Sequence, residues 1–241
     1  MKKLLFSFLI SLLSLQISYG MNNENNGEQE NNIFGRETSL HIAVNNNDIE
    51  TIKIRIKYFE HEINTKYISN TPLLLACKKG NLEAAQLLLD NNADPSLCDQ
   101  YKRSCFHNAA RSGNLPIMEL LWPHFKDNVD HSDNDKTNAL MIAAQNHHTH
   151  IIKYLLTKGA NPNHVNRENR NALHQATRRG PNTINREPVE TVKILIKKNV
   201  NIIIDQYGKT PLHYAIESGY TEVLKLLLAC LTDRSIQKDL L

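Results

Sequence analysis

Residues 210–219 read TPLHYAIESG. Five further stretches align with it without gaps: TSLHIAVNNN from residue 38, TPLLLACKKG from 71, SCFHNAARSG from 104, NALMIAAQNH from 138 and NALHQATRRG from 171. Successive starts lie 33, 33, 34, 33 and 39 residues apart. Six copies in so constant a register define an internal repeat, and a period of this length marks a stacked array of small units.

Every copy carries the same local instructions. A Thr, Ser or Asn opens it, a residue whose side chain satisfies a free N–H at a helix start. Pro72 and Pro211 follow directly in two copies, at the first helical position where a missing N–H costs nothing. Leu or Phe and then Ala, three residues apart, fall on one helix face, with Ala small enough to keep a neighbouring helix close. Gly80, Gly113, Gly180 and Gly219 then end the helix where a left-handed residue is wanted. Asn47 and His147 hold that place in copies one and four at a higher conformational cost. A second apolar-striped segment follows, as in EAAQLLL, PIMELLW, HIIKYLL, VETVKILI and TEVLKLLL. Turn-rich stretches such as NNADPS and KGANPN come after it. The expected unit is helix, turn, helix and an extended β-hairpin finger.

The Thr-Pro-Leu-His-x-Ala opening, central Gly, Leu-Leu run and Gly-Ala-Asn stretch resemble the ankyrin repeat. The resemblance covers about residues 36–231, is strongest in copies six, two and four, and is weakest late in copy one, where Arg55 falls in the Leu-Leu region. It implies an all-α repeat solenoid of about six stacked repeats, near 36–68, 69–101, 102–135, 136–168, 169–207 and 208–231. One such repeat cannot bury its apolar face alone, so the copies must stack, with the first and last acting as caps. Residues 232–241 form a polar tail or a short closing helix. Copy five holds about six extra residues within PNTINREP, 181–188, expected as a surface loop at the helix–helix turn.

The first twenty residues, MKKLLFSFLISLLSLQISYG, differ in kind. A positive start at Lys2 and Lys3, an apolar run to about Leu15, and Ser18 and Gly20 before a cut predict a signal peptide, residues 1–20. The alternative is an uncleaved anchor, but the run is shorter than the roughly 20 residues a span requires. Residues 21–35, rich in Asn and Glu, read as a flexible polar leader. The expectation is an exported protein, periplasmic or secreted, of bacterial type, with no stable membrane insertion after cleavage.

Apolar residues make up 41% and charged residues 22% of the 241, a composition that folds. The formal net charge of +3 is too mild to point to nucleic acid. No nucleophile elbow, phosphate-binding loop, paired-carboxylate motif or HExxH occurs, and the repeats leave no room for a catalytic domain. The expectation is a protein that is not an enzyme and needs no cofactor. His41, His107, His174 and His213 share the fourth position of the repeat start. By the resemblance, that histidine braces the finger, with the capping residue as a partner. The cluster NHHTH, 146–150, lacks the spacing and the companion ligands of a metal site. Cys98 and Cys105 flank the turn DQYKRS, and a disulfide across it is one hypothesis for an exported chain. Cys77 is expected to be buried.

The resemblance also implies where a partner would bind: the finger turns, the residue before each capping position, and the two residues before each helix-ending glycine. Carried over, these positions select Tyr67, Lys78, Lys79, Tyr101, Arg103, Arg111, Arg167, Arg170, Arg178, Arg179, Tyr207 and Lys209 as contact residues. With the uncharged and acidic positions included, the surface holds nine basic residues against three acidic ones, Asp135, Glu168 and Glu217. Arginine forks suit carboxylates and tyrosines are frequent interface anchors. The expected function is non-catalytic binding of an acidic protein segment by a monomer. A polyanion- or glycan-binding surface and a secreted effector acting on host proteins are the alternatives.

Overall fold

The computed structural model describes residues 37–178 and 188–238, the last six as backbone only. The signal peptide and leader read into residues 1–35, Arg179 and the extra residues of copy five lie outside the described residues.

Six helical hairpins follow one another. They are α1 Ser39–Asn45 with α2 Ile49–Tyr58, α3 Pro72–Lys79 with α4 Leu82–Asp90, and α5 Cys105–Ser112 with α6 Leu115–Phe125. Then come α7 Ala139–Gln145 with α8 Thr149–Thr157, α9 Ala172–Thr177 with α10 Val189–Lys197, and α11 Pro211–Ser218 with α12 Thr221–Lys238. The first helix of each hairpin starts at the expected cap. The Thr71 hydroxyl accepts the Leu74 N–H at 3.2 Å, and the Asn138 side-chain Oδ1 accepts the Met141 N–H at 3.0 Å. Gly80, Gly113 and Gly219 take φ values of +78°, +70° and +72°. Asn47 and His147 adopt the same left-handed conformation at +55° and +58°, a strain a non-glycine residue bears only when packing demands it.

Stacking builds one continuous core. Leu40, Leu73, Phe106, Leu140 and Leu173 are all at most 1% exposed, and each contributes about 2 kcal/mol of apolar burial. The alanines three positions on, Ala43, Ala76, Ala109, Ala143, Ala176 and Ala215, are equally buried and let adjacent first helices approach. The departure at Arg55 is absorbed locally. Its guanidinium pairs with the buried Glu62 and lies 3.6 Å from the centre of the Phe59 ring. Glu62 also accepts the Leu40 N–H at 3.1 Å, so the charge is matched twice over.

One expectation changes. Among the described residues no β-strand forms, and the fingers contain only isolated bridges, Tyr67–Asn70 and Ser132–Asn138. In four of the five an Asx side chain occupies the N–H groups a hairpin ladder would use, and the turn stays tight. At the end of copy six the chain takes the closing-helix alternative. Asn92, Gly159 and Asn199, with φ of +66°, +89° and +56°, lie where the second helices of copies two, four and five stop. Leu231 stands at that register in copy six, and α12 runs on to Lys238 as a closing helix.

Candidate partner-binding face

Five fingers project from the hairpins, centred on residues 66–70, 99–103, 133–137, 166–170 and 205–209. In the last four an Asx residue five positions before the cap organises the turn. Asp99 Oδ1 accepts the Tyr101 and Arg103 N–H groups, both at 2.8 Å. Asp133 does the same for Asp135 and Thr137, Asn166 for Glu168 and Arg170, and Asp205 for Tyr207 and Lys209. The residue two before the cap is left-handed each time: Lys102, Lys136, Asn169 and Gly208. These recurring Asx residues are a signal present in the sequence that the motif reading passed over. One backbone bond then joins each of these fingers to the next. Asn134 N donates to Tyr101 O, Arg167 N to Asp135 O, and Gln206 N to Glu168 O, each at 2.9 Å.

Three of the four repeat histidines behave as braces, while His213, exposed in copy six, pairs with its own cap Thr210. His41 Nε2 donates to Asn70 O at 2.9 Å, His107 Nε2 to Thr137 O at 3.1 Å, and His174 Nε2 to Lys209 O at 3.3 Å. The carbonyl partner places the proton on Nε2, so Nδ1 is left to accept. His107 Nδ1 takes the Ser104 N–H at 3.2 Å and stands 2.9 Å from the Ser104 hydroxyl. Burial lowers the pKa of all three rings, that of His107 to about 4, with the neighbouring His131 adding to the effect. With both nitrogens engaged, these imidazoles have no lone pair to offer a substrate or a metal. In the NHHTH cluster, His148 Nε2 donates to Arg111 O at 3.1 Å and His150 Nε2 to Gly113 O at 2.8 Å. Among the described residues no three His, Cys, Asp or Glu side chains converge on a metal position.

The cysteines correct another expectation. All four are free thiols. Cys105 enters the first turn of α5 facing inward, fully buried, and the nearby Cys77 thiol and burial push its thiol pKa up. Cys98 turns away, toward the Ser96 carbonyl at 3.3 Å and His131 at 4.0 Å. The helix start separates the two cysteines that the sequence places on either side of the turn.

The contact residues read from the sequence divide sharply. Tyr101 and Tyr207 are exposed, at 49% and 60%. Lys78, Lys79, Arg111 and Arg167 are exposed, and Tyr67, Arg103, Arg178 and Lys209 are half-buried. Arg170 is different: it is 5% exposed and inside the stack. Its Nε donates to Asp205 at 2.9 Å, another nitrogen to the Tyr214 hydroxyl at 2.8 Å, and it also pairs with Glu168. Tyr214 donates to Asp205 at 2.6 Å, and these donors hold the Asp205 carboxyl well below the usual carboxylate range. Arg170 therefore holds the stack together and is not a contact residue. Tyr67 is partly spent on His41, edge to face at 5.9 Å, and Lys209 is paired with Glu217.

What remains converges on one place. Arg103, Arg111, Arg167 and Arg178, from three successive copies, line a recess of about 270 Å³ floored by Ile142, Gln145 and Gln175. The floor residues were not among the contact residues read from the sequence. Arg103 lies 4.8 Å from the Tyr101 ring centre and Arg178 lies 5.6 Å from that of Tyr214.

A family model described as Ankyrin repeats (3 copies) matches residues 7–99, 106–186 and 159–238. The chain is an ankyrin-repeat protein. Human Transient receptor potential cation channel subfamily A member 1 is 27% identical to it over 225 residues, 88% of this chain and 19% of the relative. Dog Inversin is 34% identical over 150 residues, 60% of this chain and 13% of Inversin. Chicken Nuclear factor NF-kappa-B p105 subunit is 28% identical over 172 residues, 69% of this chain and 17% of that protein. The ankyrin-repeat chain thus spans under a fifth of each of these relatives. Among solved structures, the crystal structure of an ankyrin repeat domain from Acinetobacter baumannii AYE aligns at a TM-score of 0.65 and 30% identity. That alignment covers 79% of this chain and 96% of that one. Ankyrin repeats are protein–protein interaction modules that work without catalysis. Among the described residues no helix is long and apolar enough to cross a membrane.

Proposed function

We propose that this ankyrin-repeat protein is an exported, non-catalytic adaptor that binds an acidic segment of another protein at the recess between copies three and five. One observation carries the reading: among the described residues, Arg111, Arg167 and Arg178 border a single recess and form no ion pair. Arginines held without a carboxylate partner on an exposed rim are open for bidentate contact with an incoming one. Tyr101 and Tyr207 supply exposed aromatic surface beside them. A general polyanion surface fits less well, because the exposed, unpaired Asp135 lines the same recess and repels a uniformly negative chain. Export rests on the N-terminal pattern of residues 1–20.

The test immobilises the 241-residue chain and measures binding of fluorescein-labelled acidic peptides, with heparin as competitor. Acidic peptides should bind, and Arg111→Glu with Arg178→Glu should abolish it; unchanged affinity in the double variant refutes the reading. Tighter and more salt-sensitive binding of heparin than of any peptide would shift the function to polyanions. For export, N-terminal sequencing of protein from the medium or periplasm should start at Met21.

A further inference from the structure

Charges around the recess have an order as well as a sum. Along the line of stacking, α5 and the finger leading into it offer Arg103 and Arg111, α7 and its finger offer Asp133 and Asp135, and α9 and its finger offer Arg167, Glu168 and Arg178. Commitments inside the fold cancel some of these. Asp133 is 8% exposed, accepts two backbone N–H groups through Oδ1, and lies 3.5 Å from Arg103 through Oδ2. Glu168 is paired with the buried Arg170. The charges left facing solvent are Arg111, then Asp135, then Arg167 and Arg178. Asp135 is exposed, and among the described residues its carboxylate has no hydrogen-bond or ion-pair partner. At the foot of the recess the helix ends follow the same rhythm, with the uncharged Gln145 between Arg111 and Arg178.

We infer that the recess reads a charge sequence: it takes an extended segment with two acidic residues that flank one basic residue. This rests on the proposed function, since it specifies the segment that the face accepts. Spacing follows from the stack. Packed helices lie roughly 8–10 Å apart, so α5 and α9, with α7 between them, are separated by about 20 Å. An extended chain rises about 3.3 Å per residue, so carboxylates about six residues apart reach Arg111 and Arg178, and the midpoint residue faces Asp135. The segment is therefore E-x-x-K-x-x-E in character. A run of unbroken acid brings a carboxylate against Asp135, and a basic run meets arginine at both ends.

Three fluorescein-labelled peptides with Gly and Ser at the x positions test this against the full chain by fluorescence anisotropy: E-x-x-K-x-x-E, E-x-x-E-x-x-E and K-x-x-E-x-x-K. The first should bind about five-fold tighter than the second, the size of one exposed charge contact exchanged for a repulsion. The third should not bind. In the Asp135→Lys variant the order of the first two should invert. Arg111→Gln and Arg178→Gln should each weaken the first peptide about three-fold. Equal or tighter binding of the all-acidic peptide to the unaltered chain overturns the charge order while leaving the acidic-segment function standing. Preference unchanged in Asp135→Lys also overturns it. If none of the three binds, the charge order and the function beneath it both fall.

Discussion

His107 couples the stability of the domain to pH. The ring is 1% exposed, its Nε2 donates to Thr137 O and its Nδ1 accepts from Ser104. A proton added to Nδ1 would face the Ser104 N–H head on, so the native state holds the imidazole neutral, with its pKa lowered from 6.5 to about 4. Between those values the unfolded chain binds a proton that the native one refuses, so stability falls as pH falls. The stabilisation is complete above pH 6.5, is withdrawn progressively below it, and is exhausted near pH 4. At about 1.4 kcal/mol per pH unit, the full amount is roughly 3 kcal/mol, of which about 2 kcal/mol is gone by pH 5. Urea denaturation of the unaltered chain and of His107→Gln at pH 7.5, 6.5, 5.5 and 5.0 isolates this contribution, since other titrating groups cancel in the difference. The variant loses the brace and is less stable at pH 7.5, but its deficit should shrink by about 2 kcal/mol at pH 5. Parallel stability curves across the series would refute the assignment of a buried neutral ring.

Three further outcomes follow from the geometry. Replacing both Lys102 and Lys136, left-handed at +59°, with glycine should relieve strain and raise stability by about 1 kcal/mol, seen as a Tm roughly 2–4 °C higher. A lower Tm would mean that the lysine side chains hold the fingers. Asp205→Ala removes the buried carboxylate of the Arg170 cluster, and with it the Asx turn of that finger, and should cost about 3–5 kcal/mol in chemical denaturation, against little effect from Asp135→Ala on the exposed rim. Thiol titration of the native chain should find Cys98 and Cys230 reacting quickly and the buried Cys77 and Cys105 only on unfolding; fast modification of all four would contradict their placement.

The repeat was legible because its determinants are local. Caps, left-handed positions and the Leu and Ala spacing act within ten residues, and each recurs. What escaped depends on partners a repeat away. Arg170 sits at a contact position of the motif, yet Asp205, 35 residues on, draws it inside. Cys105 looked across its own turn to Cys98, whereas the stack brings it to Cys77 of the preceding copy. The fingers read as hairpins because their spacing allows two strands, but Asp99, Asp133, Asn166 and Asp205 consume the inner N–H groups. Of the candidate site, the arginines could be read copy by copy. Their shared recess, and the carboxylates already spent inside it, required three copies side by side.

The backbone bonds between fingers run without a break from Tyr101 to Gln206 and stop there on the amino-terminal side. The first finger meets the second only through side chains, Ser69 with Gln100 and Lys66 with the Cys98 carbonyl. The helices behind the second and fourth fingers carry Leu74 and Met141 where α1, α5 and α9 carry a histidine brace. Beyond residue 99 the fingers form one backbone-linked bar, and the seam between residues 70 and 99 lacks that link. Arg103, Arg111, Asp135, Arg167 and Arg178 all ride on that bar. The backbone bonds from finger to finger set the spacing of the charges carried on them, as the body of a ruler sets its graduations.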